Sequence, residues 1–193
     1  MAGIRLHEIG QPGQHAPASG FEAPFEMLTA CHERVQRMLG LLARLRAHLQ
    51  ANGCDEQAAQ AARDVMRYFD LAAPLHHQDE ELHVFPPLLA GSDETLKAVV
   101  RRLQQDHLAM EVAWPKARAV LLRVAEAGQG VWTGFFPAEA SLLDDFAGRY
   151  ARHIDDEERL VYPAAQAGLG AEALHAMSAD MMGRRGVKPV APG

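Results

Sequence analysis

Residues 76–86 read HHQDEELHVFP, and residues 153–163 read HIDDEERLVYP. The two stretches match at the first histidine, the Asp-Glu-Glu run, the valine, the aromatic residue and the proline. A histidine and a glutamate four residues apart on an α-helix lie on one face, about 6 Å apart along the axis. Apolar packing does not explain why both copies place these two residue types at matching points. The repeat therefore predicts two helices that each present a His-x-x-x-Glu face, and two such faces can meet around a pair of metal ions.

The composition is that of an acidic globular chain. Its 193 residues suffice for one domain with a substantial core, and its net charge of -6 argues against a nucleic-acid or anionic-membrane surface. No apolar run approaches the length of a membrane span. Residues 1–20 lack the pattern of a signal peptide, and Cys31 and Cys54 form no CxxC pair, so we expect free thiols and a cytoplasmic location.

The helical segments can be read from the apolar periodicity, because strand signals are almost absent. We predict four long helices and a short fifth helix, at about 24–50, 55–89, 92–128, 137–167 and 171–182. Asp55 is a candidate N-cap. Pro74 should kink or divide the second helix, and Pro115 should bend the third.

The predicted fold is all-α. Short connections favour antiparallel neighbours, which gives an up-down-up-down antiparallel four-helix bundle followed by the short C-terminal helix. The expected organisation is a flexible tail at 1–20, the bundle at 21–168, and the short helix with a disordered tail at 169–193.

The first and third helices supply further histidines. His32 precedes the first copy of the repeat and His107 precedes the second, at similar spacing. Glu111 follows His107 by four residues, whereas Gln36, a poor metal ligand, follows His32. The candidate ligands are four imidazoles and three carboxylates: His32, His76, Glu80, His107, Glu111, His153 and Glu157. Nitrogen and oxygen donors without a thiolate suit two iron or manganese ions better than one structural zinc.

The register of the repeat separates two overlapping pairs in the second helix. His76 aligns with His153, whereas His77 aligns with Ile154, so we place His76 inside and His77 about 100° away on the helix. Direct ligation by His77 stays open. Glu81 and Glu158 are expected to be outer carboxylates that pair with a neighbour, and Tyr150 to lie beside the ligands. The competing interpretation, solvated helix faces with incidental pairing, is disfavoured by the matched copies.

These residues resemble the hemerythrin-like family of HHE cation-binding domains. The similarity covers about residues 21–167 and rests on CHER at 31–34, HHxxEE with FP at 76–86, DH at 106–107, and HxxxEE with YP at 153–163. The resemblance implies a four-helix bundle around a non-haem di-iron site. It assigns ligand roles to His32, His76, His107 and His153, and bridging roles to Glu80 and Glu157.

Glu111 departs from the oxygen carriers of that family, which have a second histidine at this position and so five histidines and two carboxylates. A third carboxylate would lower the net charge of the centre and favour the ferric state. We therefore expect ready oxidation and poorer reversible oxygen carriage than in the carriers.

The expected function is a metal-binding protein whose two iron ions, or manganese ions as the alternative, bind a small ligand. That ligand would be oxygen, nitric oxide or a peroxide, or the protein would hold iron for sensing, buffering or protection. The alternative is a di-iron oxidoreductase acting on oxygen, peroxide or nitric oxide. Iron donation is disfavoured because residues 1–20 contain no cysteine. A structural bundle with an empty site is the fourth interpretation.

Overall fold

The structure is a computed structural model that describes residues 23–127 and 132–187. It contains eight α-helices in these ranges: α1 Pro24–Asn52, α2 Glu56–Asp79, α3 Phe85–Ala90, α4 Glu94–Ala127, α5 Pro137–Gly148, α6 Tyr150–Asp156, α7 Tyr162–Gly168 and α8 Ala171–Arg184. Two π-helical segments, Glu80–Val84 and Glu157–Val161, join α2 to α3 and α6 to α7. The described ranges contain no strand. The prediction of an all-α chain is confirmed.

The helices group into four long rods and the shorter α8. The long rods are α1, then α2 with α3, then α4, and then α5 with α6 and α7, and α2 packs against both α1 and α4. Two apolar clusters fill the interior, one containing Leu45, Val65, Leu121 and Phe146 and the other containing Phe85. Along the chain, each long rod contributes residues first to one cluster and then to the other, and this sequence reverses from each rod to the next. This alternation is what antiparallel neighbours require, and it supports the up-down-up-down order, which stays a prediction.

Local signals at the start of α2 act as expected, but its internal proline does not. The Asp55 carboxylate accepts a hydrogen bond from the backbone N–H of Ala58 at 2.8 Å, so the predicted N-cap is confirmed. The helix continues through Pro74 to Asp79, so the predicted division there does not occur. Phe69 and Ala73 are buried on this rod, and their packing stabilises the helix despite the lost hydrogen bond.

The regular helix changes instead at the glutamate of each repeated His-x-x-x-Glu pair, Glu80 and Glu157. The N–H of Phe85 bonds the carbonyl of Glu80, and the N–H of Tyr162 bonds that of Glu157, each five residues back. The next residue in each copy is a proline, which lacks an N–H and crowds the carbonyl four residues earlier. A wider turn relieves this crowding. The proline of the motif therefore explains the π-helical segment in each copy.

Helix α8 closes one end of the bundle. Met177 and Met181 are fully buried in the cluster that contains Phe85. Arg184 and Arg185 bind the fully buried carboxylate of Asp79, at 2.7 and 2.5 Å. Burial raises the pKa of Asp79 although both guanidinium groups lower it, so the carboxylate depends on these two cations for its charge.

The predicted tails fall mostly outside the described ranges. Gly183 and Arg184 belong to α8 rather than to a disordered tail, while residues 1–20 and 188–193 lie beyond the described part of the chain. Among the helices within it, none combines the length and the hydropathy needed to cross a bilayer.

Removing both cations that face Asp79 should destabilise the fold. We expect the double variant Arg184→Ala/Arg185→Ala to lose about 3 kcal/mol of unfolding free energy, because a buried carboxylate is left without a counter-charge. Urea unfolding measures the change.

The internal repeat offers a matched control for this test. Asp156 occupies the position of Asp79 in the second copy, and it pairs with Arg102 and Arg152 while 19% exposed. The double variant Arg102→Ala/Arg152→Ala should cost about 1 kcal/mol or less. Equal losses in the two double variants would contradict the importance of the buried site.

Candidate metal centre

Six of the seven predicted ligands meet in one buried cluster between the rods. They come from α1, α2, α4, α6 and the two π-helical segments: His32, His76, Glu80, His107, His153 and Glu157. Together with His77, these six side chains form two groups of potential metal ligands. The ligand atoms of the first group lie within 4.8 Å of one another, and so do those of the second. The first group is His32, His76, Glu80 and Glu157, and the second is His77, His107 and His153.

The two glutamates face both groups. Glu80 Oε1 lies 3.5 Å from His76 Nε2, while its Oε2 lies 3.4 Å from His107 Nε2. Glu157 Oε2 lies 3.2 Å from His32 Nε2, while its Oε1 lies 3.1 Å from His153 Nε2. Each carboxylate therefore directs one oxygen toward each group of histidines. This is the arrangement that a carboxylate bridging two ions requires.

His77 lies in the second group, although the register of the repeat gave no reason to put it there. Its ring stacks on that of His107 with centroids 4.0 Å apart and planes at 15°. The neighbouring His76 turns to the first group. Successive residues on a helix point about 100° apart, and this divergence lets one His-His pair serve two groups. The two adjacent histidines at positions 76 and 77 were the sequence feature that could have indicated this arrangement.

Glu111 is not brought into either group. Its side chain is exposed on α4, one turn beyond His107, and lies along a cavity beside the cluster. Met110 is buried next to it in the apolar cluster. Of the described residues of α4, His107 alone belongs to either group. Gln36, the corresponding residue on α1, is exposed as well.

The chemistry of the cluster fits bound cations. Glu80 and Glu157 have no exposed surface, and burial together with the charge of Glu80 raises the pKa of Glu157 to about 8. Glu80 Oε2 and both oxygens of Glu157 find no partner of hydrogen-bond geometry in the described part of the chain. Burial lowers the pKa of His76 to about 3, which keeps its imidazole neutral, as a metal ligand must be. Burial opposes a charge on His107, but its contacts with Glu80 and Glu81 raise its pKa to about 10, so a proton on this ring offsets part of the buried negative charge. Divalent cations would replace that proton and supply the remaining charge.

The second glutamate of each copy explains the doubled Glu-Glu in the motif. Glu81 Oε1 lies 2.9 Å from His107 Nδ1, and Glu158 Oε1 lies 2.9 Å from His32 Nδ1. The first copy of the repeat thus orients His107, which precedes the second copy, and the second copy orients His32, which precedes the first. A carboxylate on the outer nitrogen of a histidine fixes the ring so that its inner nitrogen can bind a metal. The expectation that Glu81 and Glu158 are outer carboxylates agrees with these contacts.

The aromatic residue of each copy covers a histidine. Phe85 stacks on His107 with ring centroids 5.5 Å apart, and Tyr162 stacks on His32 at 5.4 Å. Tyr162 also donates a hydrogen bond to Glu80 Oε1 at 2.5 Å. Sequence reasoning placed Tyr150 beside the ligands and gave Tyr162 no role. The substitution of tyrosine for phenylalanine between the two copies was the signal that would have identified Tyr162.

A cavity of about 530 Å³ reaches the second group from between α2 and α4. It is lined by Phe69, Ala73, Pro74, His77, Gln78, Glu81, Gln104, Gln105, His107, Leu108, Met110, Glu111, Trp114 and Tyr150. His77 and His107 are members of both the cavity lining and the cluster, so the cluster is reachable from this side.

The sequence was compared with known proteins. Residues 23–165 match the family described as the Hemerythrin HHE cation binding domain. A protein of Haemophilus influenzae (strain ATCC 51907 / DSM 11121 / KW20 / Rd), described as an uncharacterized protein, is 32% identical over 183 residues. The aligned region covers 94% of this chain and 99% of that protein. Together with the histidine and glutamate cluster, the family match indicates metal binding.

The outer carboxylates should control metal affinity. We expect Glu81→Ala and Glu158→Ala each to weaken binding of ferrous iron or manganese about 10- to 100-fold, because the histidine behind each carboxylate loses its orientation. Competition with a chromogenic chelator measures the affinity. Glu33→Ala, an exposed position on α1, is the control and should leave the affinity unchanged. A similar loss in all three variants, or no loss in the first two, would argue against this role.

Proposed function

The chain belongs to the family of Hemerythrin HHE cation-binding domains, and we propose that it is a di-iron protein whose centre binds a small ligand, oxygen or nitric oxide. Two manganese ions are the alternative metal. The proposed ligands are five imidazoles and two carboxylates: His32, His76, His77, His107, His153, Glu80 and Glu157. The proposal rests mainly on the two fully buried glutamates. Each of them directs one carboxylate oxygen toward one group of histidines and the second oxygen toward the other group.

The ligands divide between two metal positions in this proposal. His32 and His76 would hold one ion, and the three remaining histidines the other, with Glu80 and Glu157 between them. The contacts of the four carboxylate oxygens support this division, because each oxygen lies within 3.5 Å of an imidazole nitrogen or a hydroxyl group. When bound, iron would supply a redox-active coordination position for a diatomic gas.

His77 changes the expected chemistry of the centre. The oxygen carriers of the family have five histidines and two carboxylates, and with His77 in place of Glu111 the proposed set has that composition. The expectation of ready oxidation rested on Glu111 as a third carboxylate. Because Glu111 is exposed outside both groups, that argument loses its premise. We therefore favour reversible binding, for oxygen or nitric oxide buffering or sensing.

Tyr162 is the residue that we propose to hold the small ligand. Its hydroxyl lies 3.1 Å from His32 Nε2, on the side of the cluster with only two histidines, where fewer protein donors surround the metal position. Burial and the charges of Glu80 and Glu157 raise the pKa of Tyr162 well above its ordinary value. The hydroxyl therefore stays protonated. Its one proton is donated to Glu80 Oε1 in this structure, and it would turn to the small ligand once Glu80 binds a metal ion.

A di-iron oxidoreductase is the second candidate. The observation that favours it is the cavity of about 530 Å³ beside His77 and His107. A single water occupies about 30 Å³ of liquid, so a diatomic gas needs far less space than this cavity offers. Turnover of a second substrate would use that space.

Anaerobic reconstitution with ferrous iron tests the proposal. We expect about two irons per chain and a stable nitric oxide adduct with its own absorption spectrum. Tyr162→Phe should speed dissociation of nitric oxide about 2- to 10-fold, because one hydrogen bond to the ligand is lost. Stopped-flow absorption measures this rate.

Tyr150→Phe is the matched control, since Tyr150 is buried but packs against Phe69 and Phe146 instead of the cluster. Nitric oxide should dissociate from the Tyr150→Phe variant at the same rate as from the unaltered protein. Fewer than about one iron per chain would overturn the di-iron assignment. Rapid catalytic consumption of nitric oxide, oxygen or peroxide would favour the oxidoreductase.

A further inference from the structure

The cavity between α2 and α4 has the size of an organic ligand site. Its volume of about 530 Å³ lies within the range of about 300 to 1,000 Å³ in which proteins bind small organic molecules. Its lining includes the exposed Leu108 and Glu111 as well as His77 and the buried His107. A ligand in it would lie directly against the proposed metal centre.

The deep wall of the cavity is aromatic and held in place. Phe69 and Tyr150 are 2% and 3% exposed, and the Phe69 ring lies 5.2 Å from that of Trp114. The Trp114 indole donates a hydrogen bond to Asp70 at 2.9 Å, and Arg118 binds the same carboxylate. These contacts fix the indole, so the wall offers preformed flat surfaces that suit an aromatic ring.

Within the described ranges, the cavity lining carries one carboxylate, Glu111, that no cation offsets, because the other, Glu81, pairs with His107. The residues that line it include Glu81 and Glu111 but no lysine or arginine. Glu81 is already engaged by His107 and by Gln104, at 2.9 and 2.7 Å. Glu111 makes no hydrogen bond or ion pair within the described ranges, and its side chain is exposed at the solvent side. The faces of the aromatic rings also attract cations.

We propose that this cavity binds a cationic arylalkylamine, with the aromatic ring against Phe69, Trp114 and Tyr150 and the ammonium group at Glu111. The inference depends on the shape and charge of the cavity and not on bound iron, so it goes beyond the proposed gas binding. It also gives Glu111 a role: the carboxylate that departs from the oxygen carriers recognises an organic ligand instead of a metal.

Three probes with the same phenyl ring test the charge preference. They are phenethylamine, 2-phenylethanol and phenylacetate, which are cationic, neutral and anionic at neutral pH. Calorimetric titration of the full chain as purified, with its iron content measured on the same sample, gives each dissociation constant. We expect phenethylamine to bind about tenfold more tightly than phenylacetate, with the alcohol between them.

Glu111→Gln identifies the position of the ammonium group. This variant should weaken the binding of phenethylamine about two- to fivefold and leave the dissociation constant of 2-phenylethanol unchanged. Glu126→Gln makes the same charge change on the exposed side of α4, outside the cavity lining, and should change neither.

The possible outcomes separate this inference from the proposed function. An unchanged dissociation constant of phenethylamine in Glu111→Gln, an equal weakening in Glu126→Gln, or phenylacetate binding as tightly as phenethylamine to the unaltered protein would overturn the inference. Absence of binding by all three probes would do the same. Any of these results, obtained with protein that holds two irons per chain, would leave the di-iron proposal intact. The expected probe binding in a chain that takes up no iron would support the cavity and refute the di-iron centre.

Discussion

Glu80 and Glu157 bring two carboxylates into the middle of the bundle, where neither has any exposed surface. Burial of a carboxylate is costly unless it is paired, so the surrounding structure must supply donors or cations. The four long rods do this by directing histidines at the two glutamates from all sides. The histidines in turn need partners for their outer nitrogens, and Glu81 and Glu158 supply two of these. Most other features of the site follow from the placement of this one pair.

The repeat makes the cluster nearly symmetric, and the differences between its copies locate the chemistry. His77 stands where the second copy has Ile154, which adds a third histidine to one group. Tyr162 stands where the first copy has Phe85, which adds a hydroxyl to the other group. The group with three histidines faces the cavity. These two differences are the basis of our proposals that an organic molecule binds on one side of the cluster and a small ligand on the other.

The sequence predicted the helices and most of the cluster because both depend on short-range spacing. His76 with Glu80, and His153 with Glu157, follow from one turn of helix and from the matched copies. The place of His77 in the second group does not follow from spacing along one helix, because it depends on how far the ring reaches across the gap between rods. The exposure of Glu111 depends on where α4 leaves the cluster, which periodicity on a single helix does not encode. The continuity of α2 through Pro74 likewise depends on tertiary packing, which outweighs the local preference.

Anomalous diffraction at the iron edge, from crystals of the iron-loaded protein, would locate the metal ions between the two glutamates. The account predicts two peaks about 3.5 to 4 Å apart between Glu80 and Glu157, since that is the usual separation in two-metal sites. His77 should contact one of the two peaks, and Glu111 should contact neither. A single peak, or a peak bound by Glu111 while His77 points away, would contradict the account.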